Sequence, residues 1–195
     1  MTMRIPGSLR ILQQGVVLRG PVDSSVREFL RGPLQLSDEY VETGIGTILL
    51  DGKPVDDIDK AMIRDGATLA LSGPMPGLVG ATLRRGSRYA VLRDSITHHG
   101  ENAAGGTPRG GAPKSDGEVT LKLFNMVAEE LGEAILARGV WLRKEQLGEL
   151  LEKAPEAYRE EYRRADAPEE EFKGETDSPG PSNPEEDPLV FIRVG

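Results

Sequence analysis

Over the first hundred residues, apolar positions fall in short runs bounded by glycine, proline and aspartate, the pattern of strands joined by tight turns. Gly15-Val-Val-Leu-Arg-Gly20 reads as one such strand. In Ser24–Leu30 a serine cap candidate precedes Val26, Phe29 and Leu30 at helical spacing, which predicts a short helix. Thr47-Ile-Leu-Leu50, Asp51-Gly52 and Lys53-Pro-Val-Asp56 together predict a β-hairpin, because a type I′ turn needs positive φ at both central positions. After a crossover over 57–63, Asp65-Gly66 launches a further strand over Ala67–Ser72. Pro74-Met-Pro-Gly-Leu-Val-Gly80 is a stiff and then flexible elbow. Leu78–Arg85 and Arg88–Asp94 flank Gly86-Ser87, a pair suited to a type II′ turn, so a second hairpin extending the same sheet is expected.

The second half begins differently. Residues 97–117 hold six glycines and two prolines with almost nothing apolar to bury, the composition of a loop. In 118–124 Val119, Leu121 and Leu123 alternate with polar residues, which predicts a half-buried strand. Asn125 is placed to cap a helix striped by Val127, Leu131, Ala134 and Ile135 and stopped by Arg138-Gly139. After Val140-Trp-Leu142, a second amphipathic helix from Lys144 carries Leu147, Leu150, Leu151, Ala154, Tyr158 and Tyr162, with a break expected at Pro155. Leu189–Val194 is strongly β-prone and is expected to dock on a sheet edge of this subunit or of a neighbour. The fold class is therefore α+β, organised as a β-rich domain over 8–96, a flexible loop over 97–117, a strand with two helices over 118–165, an acidic linker over 166–187 and a C-terminal strand over 188–195.

Composition narrows the chemistry. The 195 residues contain no cysteine, so thiol nucleophiles, disulfides and cysteine-ligated metals are excluded. The hydrophobic fraction of 37% leaves part of the chain outside any core. Between Asp166 and Asp187 nine acids face the single Lys173, so this segment carries the net charge of −8 and the rest of the chain is close to neutral. Its proline-rich, acidic composition is that of disorder. No secretory or membrane-spanning pattern is visible in the sequence, and a soluble, cytoplasmic protein is expected.

The succession Ile48-Leu-Leu-Asp-Gly-Lys-Pro-Val-Asp-Asp-Ile-Asp, then Ile63-Arg-Asp-Gly-Ala-Thr-Leu-Ala-Leu, resembles the second half of β-grasp, ubiquitin-like domains over about residues 46–72. Sulfur-carrier and TGS domains share the order of apolar strand, Asp-Gly turn, short strand and Asp-Gly before a last strand. A sulfur carrier acts through a free C-terminal Gly-Gly, whereas the corresponding place here is the internal elbow at Pro74–Gly80. The resemblance therefore implies a binding scaffold without carrier chemistry, and no functional residue of the family carries over.

Arg84, Arg85, Arg88 and Arg93 surround Gly86-Ser87 with Tyr89 among them, and His98-His99 follow. Arginines beside an aromatic can grip an anion or stack on a base; equally, they protect a hairpin tip. Adjacent histidines can ligate or accept a proton, but only Glu101 lies nearby, so a solvated polar loop is the simpler reading. Asp51, Asp56, Asp57, Asp59 and Asp65 lack calcium-loop spacing, and three of them read better as turn formers. No cofactor and no catalytic residue is assigned. The leading expectation is a noncatalytic module that contacts a protein partner or itself. The second is binding of a small anionic ligand, or a small enzyme, built on Arg84–Arg93 and His98-His99. RNA binding comes third, disfavoured by the net charge.

Overall fold

The computed structural model describes residues 8–98, 115–153 and 189–193. The acidic segment 166–187, most of the glycine-rich loop, Ala154, Pro155, Tyr158, Tyr162 and His99 lie outside the described residues.

The described chain is α+β, a mixed seven-stranded sheet with six α-helices. A helix α1 (Ser8–Gln14) leads into β1 (Val16–Pro21), and the two-residue β2 (Ser24–Ser25) leads into α2 (Val26–Arg31). The α2 start is a full capping box. Glu28 N donates to Ser25 Oγ at 3.2 Å, and Ser25 N donates to Glu28 Oε2 at 3.0 Å. A short α3 (Asp38–Thr43) is capped by Ser37, whose Oγ accepts from Tyr40 N.

Next come β3 (Thr47–Leu50), β4 (Lys53–Pro54), β5 (Met62–Ile63) and β6 (Thr68–Ser72). The Asp51-Gly52 turn has φ of 50° and 76°, both positive as a type I′ turn requires. Asp51 also accepts from Thr68 N at 2.7 Å, and Asp65 accepts from Glu118 N at 2.7 Å. These aspartates shape turns, as the sequence predicts.

In the second half, β7 (Asp116–Phe124) leads to α5 (Asn125–Arg138), β8 (Val140–Arg143) and α6 (Lys144–Lys153), and β9 (Leu189–Ile192) comes last. The strand order is β4-β3-β6-β7-β1-β8-β9, and β2 pairs separately with β5. Only β6 and β7 run parallel; the other pairings are antiparallel. The C-terminal strand thus docks on its own subunit, with Trp141 opposite Phe191. Along β7, Val119, Leu121 and Leu123 are buried and alternate with less buried neighbours, so one face meets the core. That core joins them to Leu12, Phe29, Leu30, Ile48, Leu69, Val127 and Ile135.

Two local expectations are corrected. Asn125 does not cap α5: its φ is +53°, Phe124 holds the cap position, and the Asn125 amide donates to Ser72 Oγ at 3.0 Å. Asparagine tolerates the left-handed region better than most side chains, and here its amide ties the helix start to β6. The predicted hairpin over 78–94 is instead a helix α4 (Gly77–Leu83) followed by a 3₁₀ helix (Ala90–Ile96). The apolar spacing over 78–83 fits a helix as well as a strand, and the buried Arg93 fastens the two helices together through the Thr82 and Arg84 carbonyls and Asp56. Gly80 adds a steric reason. A Cβ at this buried position would run into the Met75 carbonyl, so the helix can fold back tightly on the elbow only through glycine.

Tyr40 on α3 donates its hydroxyl to Glu130 on α5 at 2.5 Å. Burial, and then the Glu130 carboxylate, push the phenol above its ordinary value of 10.0. A raised folded value means stability that is whole below the unfolded value and lost as pH rises through the folded one. Urea midpoints of wild type and Tyr40→Phe should therefore differ most below about pH 10 and converge at higher pH. A gap that widens with alkalinity would contradict this assignment.

Candidate functional site

The arginines singled out in the sequence all follow α4, from its C-cap Arg84 onward, and they have different fates. Arg93, on the 3₁₀ helix, is 2% exposed. Its guanidinium meets both carboxylate oxygens of Asp56, at 2.7 and 3.1 Å. It also donates to the carbonyls of Thr82 at 2.6 Å and Arg84 at 3.4 Å, and to Thr97 Oγ1 at 2.8 Å. Such a planar fork, filled on every side, is a structural bolt. It binds the 3₁₀ helix to α4 and both to the turn after β4.

Arg85 is similarly occupied. It donates to the Val41 carbonyl at 2.8 Å and to Glu42 at 2.9 Å, and its backbone N–H bonds the Gly46 carbonyl. Arg88 is exposed and lies over the ring of Tyr89, 5.3 Å from its centroid. Arg84 is exposed and faces a cleft of about 730 Å³ shared with Arg27, Arg85, Glu42, Asp56 and Asp59. Arg27 is itself paired with Asp59 at 2.6 Å. Carboxylates therefore already answer Arg27 and Arg85 in this cleft, and an incoming anion would have to displace them there.

His98 donates its backbone N–H to the Pro54 carbonyl on β4, at 2.8 Å. Among the described residues, no group of three or more His, Asp or Glu side chains is placed to hold a metal ion. Asp57 accepts from the backbone of Asp59 and Lys60 in an Asx turn, and Lys60 beside it holds its carboxyl below the usual range. No helix of the described residues is long and apolar enough to cross a membrane.

Among the described side chains, α4 and the 3₁₀ helix expose a concentration of large apolar groups. Leu78, Val79, Val91, Leu92 and Ile96 are between 54% and 80% exposed, and Tyr89 is also exposed. The buried cluster takes no side chain from the described residues 73–98. This pair of helices sits on the sheet edge by polar ties: Arg93 to Asp56, Arg85 N to Gly46, and Thr47 Oγ1 to Leu83 O at 3.4 Å.

Comparison with family models, with curated proteins and with solved structures finds no match. The site is therefore described by its own chemistry alone.

A second cleft, of about 500 Å³, was not legible in the sequence. It forms where β1, β8 and β9 meet the end of α5 and the turn after α2, and its lining includes Arg19, Arg138, Arg193, Trp141, Phe191 and Gln35. These residues are scattered over most of the chain. Only the antiparallel pairing of β8 with both β1 and β9 gathers them.

Proposed function

We propose that this chain is a noncatalytic protein-interaction module whose contact surface is the apolar exterior of α4 and the 3₁₀ helix. One observation carries the reading: five large aliphatic side chains stand more than half exposed within residues 78–96. Burying each is favourable by about 1.5–3 kcal/mol, and scattered exposure would be ordinary where such a concentration is not. The polar bolt beneath them supports the same view, because it holds in place two helices that contribute nothing to the core.

A β-grasp-like scaffold belongs to this proposal. Its support is the succession β3, Asp51-Gly52 turn, β4, Asp65-Gly66 and β6, with β6 placed beside β3. In this reading β7 completes the grasp from the far side of the loop. It runs parallel to β6 and antiparallel to β1, and its Leu121 lies opposite Val16 at the start of β1. An anionic-ligand role for Arg84 and Arg85 has their cleft in its favour and the internal carboxylates against it.

The test replaces Leu78 and Val91 together with aspartate. Both are surface positions, so stability should stay within about 0.5 kcal/mol per substitution. Affinity capture with wild-type protein should retain one stoichiometric protein, or a second copy of the chain by sedimentation, and the double variant should lose it. A photo-crosslinker placed at Leu92 should join to the same partner. Capture of a small molecule with no protein partner would overturn the proposal.

A further inference from the structure

The smaller cleft differs from the larger one in its charge. Three of its lining residues are arginines and none is acidic, in a chain whose net charge is −8. Arg19 is committed: it pairs with Glu118 at 2.9 Å, and its guanidinium lies over Trp141, 4.0 Å from the ring centroid. Arg138 and Arg193 are not. Arg138 is anchored through Nη1 on the Leu34 carbonyl at 2.5 Å, and Arg193 through Nε on the Ala137 carbonyl at 3.0 Å. Neither has a carboxylate partner among the described residues, so each keeps donors for something else. Two guanidiniums aimed by backbone carbonyls are an arrangement suited to phosphate oxygens.

The same cleft offers a flat apolar surface. Trp141 and Phe191 meet with centroids 5.2 Å apart at 57°, and Phe191 remains half exposed. Phe191 is fixed against the backbone of Gly139, where φ is +103° and any Cβ would collide with its ring. Gln35, also in the lining, holds a positive φ of 52°, uncommon for a non-glycine residue and a conformation often retained where a side chain has a task. Its exposed amide can both donate and accept. A cleft of about 500 Å³ is in the range that encloses small organic ligands.

We propose that this cleft binds a small ligand joining a phosphate to a flat unsaturated ring, the chemistry of a mononucleotide. Arg138 and Arg193 take the phosphate, the ring lies on the exposed surface of Phe191 beside the Trp141–Arg19 pair, and Gln35 meets polar atoms at the ring edge. The site is separate from the α4 surface and shares no residue with it.

Trp141 is the only tryptophan of the chain, so its fluorescence reports on the cleft directly. The probes are adenosine monophosphate, adenosine, inorganic phosphate and a single-stranded oligonucleotide, each titrated into the full-length protein. Adenosine monophosphate should give a saturable change and bind at least about ten-fold tighter than adenosine or phosphate alone, since each half supplies part of the affinity. Arg138→Gln and Arg193→Gln should each weaken it at least about ten-fold, the loss of one charged contact, while Arg84→Gln in the other cleft leaves it unchanged. Thermal midpoints check that the variants are folded. Should either unfold, Arg138→Lys and the wild-type ranking of the probes carry the test. No saturable response to adenosine monophosphate up to about 10 mM, or equal loss with Arg84→Gln, overturns the proposal. So does an oligonucleotide that binds far more tightly than the mononucleotide, which would make the cleft a nucleic-acid surface.

Discussion

Replacing Arg93 with alanine should detach the 3₁₀ helix from α4 while the seven-stranded sheet stays folded. Arg93 is almost wholly buried and forms a bidentate pair with Asp56. Removing one partner of a fully buried pair costs about 3–5 kcal/mol, and with the Asp56 side chain 36% exposed the cost here should fall below that range. The carbonyls of Thr82 and Arg84 lose a donor as well. The damage should be local, because the buried cluster includes no side chain from the described residues 73–98. Hydrogen exchange should show loss of protection across 78–96, with Trp141 fluorescence still reporting a wild-type urea midpoint for the sheet. A midpoint that falls by the full amount would mean that these helices unfold together with the sheet. Asp56→Ala should reproduce the effect from the other side. Under the proposed function, both variants should also lose the captured partner, even though neither touches the apolar surface.

The second large effect is expected at the centre of the sheet. Leu121 is fully buried on β7, between β1 and β6. Leu121→Ala should cost about 2–5 kcal/mol, the range for a truncated core leucine whose cavity only partly collapses. Its diagnostic value lies in the shape of the transition. Because β7 comes from beyond the glycine-rich loop yet pairs with strands from before it, Trp141 fluorescence and far-UV ellipticity should shift together by the same amount. Two separated transitions would mean that the segments on either side of the loop fold independently.

Much of the local structure was legible because its causes are local. The Asp51-Gly52 and Asp65-Gly66 turns follow from backbone conformation that few residues accept, and the strands of β3, β6 and β7 follow from apolar runs and alternation. The helix at Val26–Arg31 follows from a capping box written within four residues. The span 78–94 shows the limit of such reasoning. Its Gly-Ser pair and flanking apolar residues fit a hairpin, yet the distant Asp56 holds Arg93 inward, and a helix folding back on Gly80 satisfies the backbone instead. Asn125 likewise has a capping side chain, but its amide is claimed by Ser72 from another strand.

The candidate sites divide along the same line. Sequence grouped Arg84, Arg85, Arg88, Tyr89 and Arg93 around one hairpin, whereas they lie after α4 and on the 3₁₀ helix. It could not say that Arg85 and Arg93 turn inward to Glu42 and Asp56, because those carboxylates lie 37 to 43 residues away in the chain. Nor could it gather Arg19, Arg138, Arg193, Trp141 and Phe191, which spacing never brings together and strand pairing does. What the chain determines by itself is which residues turn, cap and alternate, since short-range sterics and hydrogen bonding decide those. Which cations stay free to meet a ligand was decided only in the tertiary structure, because a charge is neutralised by whatever lies within a few ångströms in space.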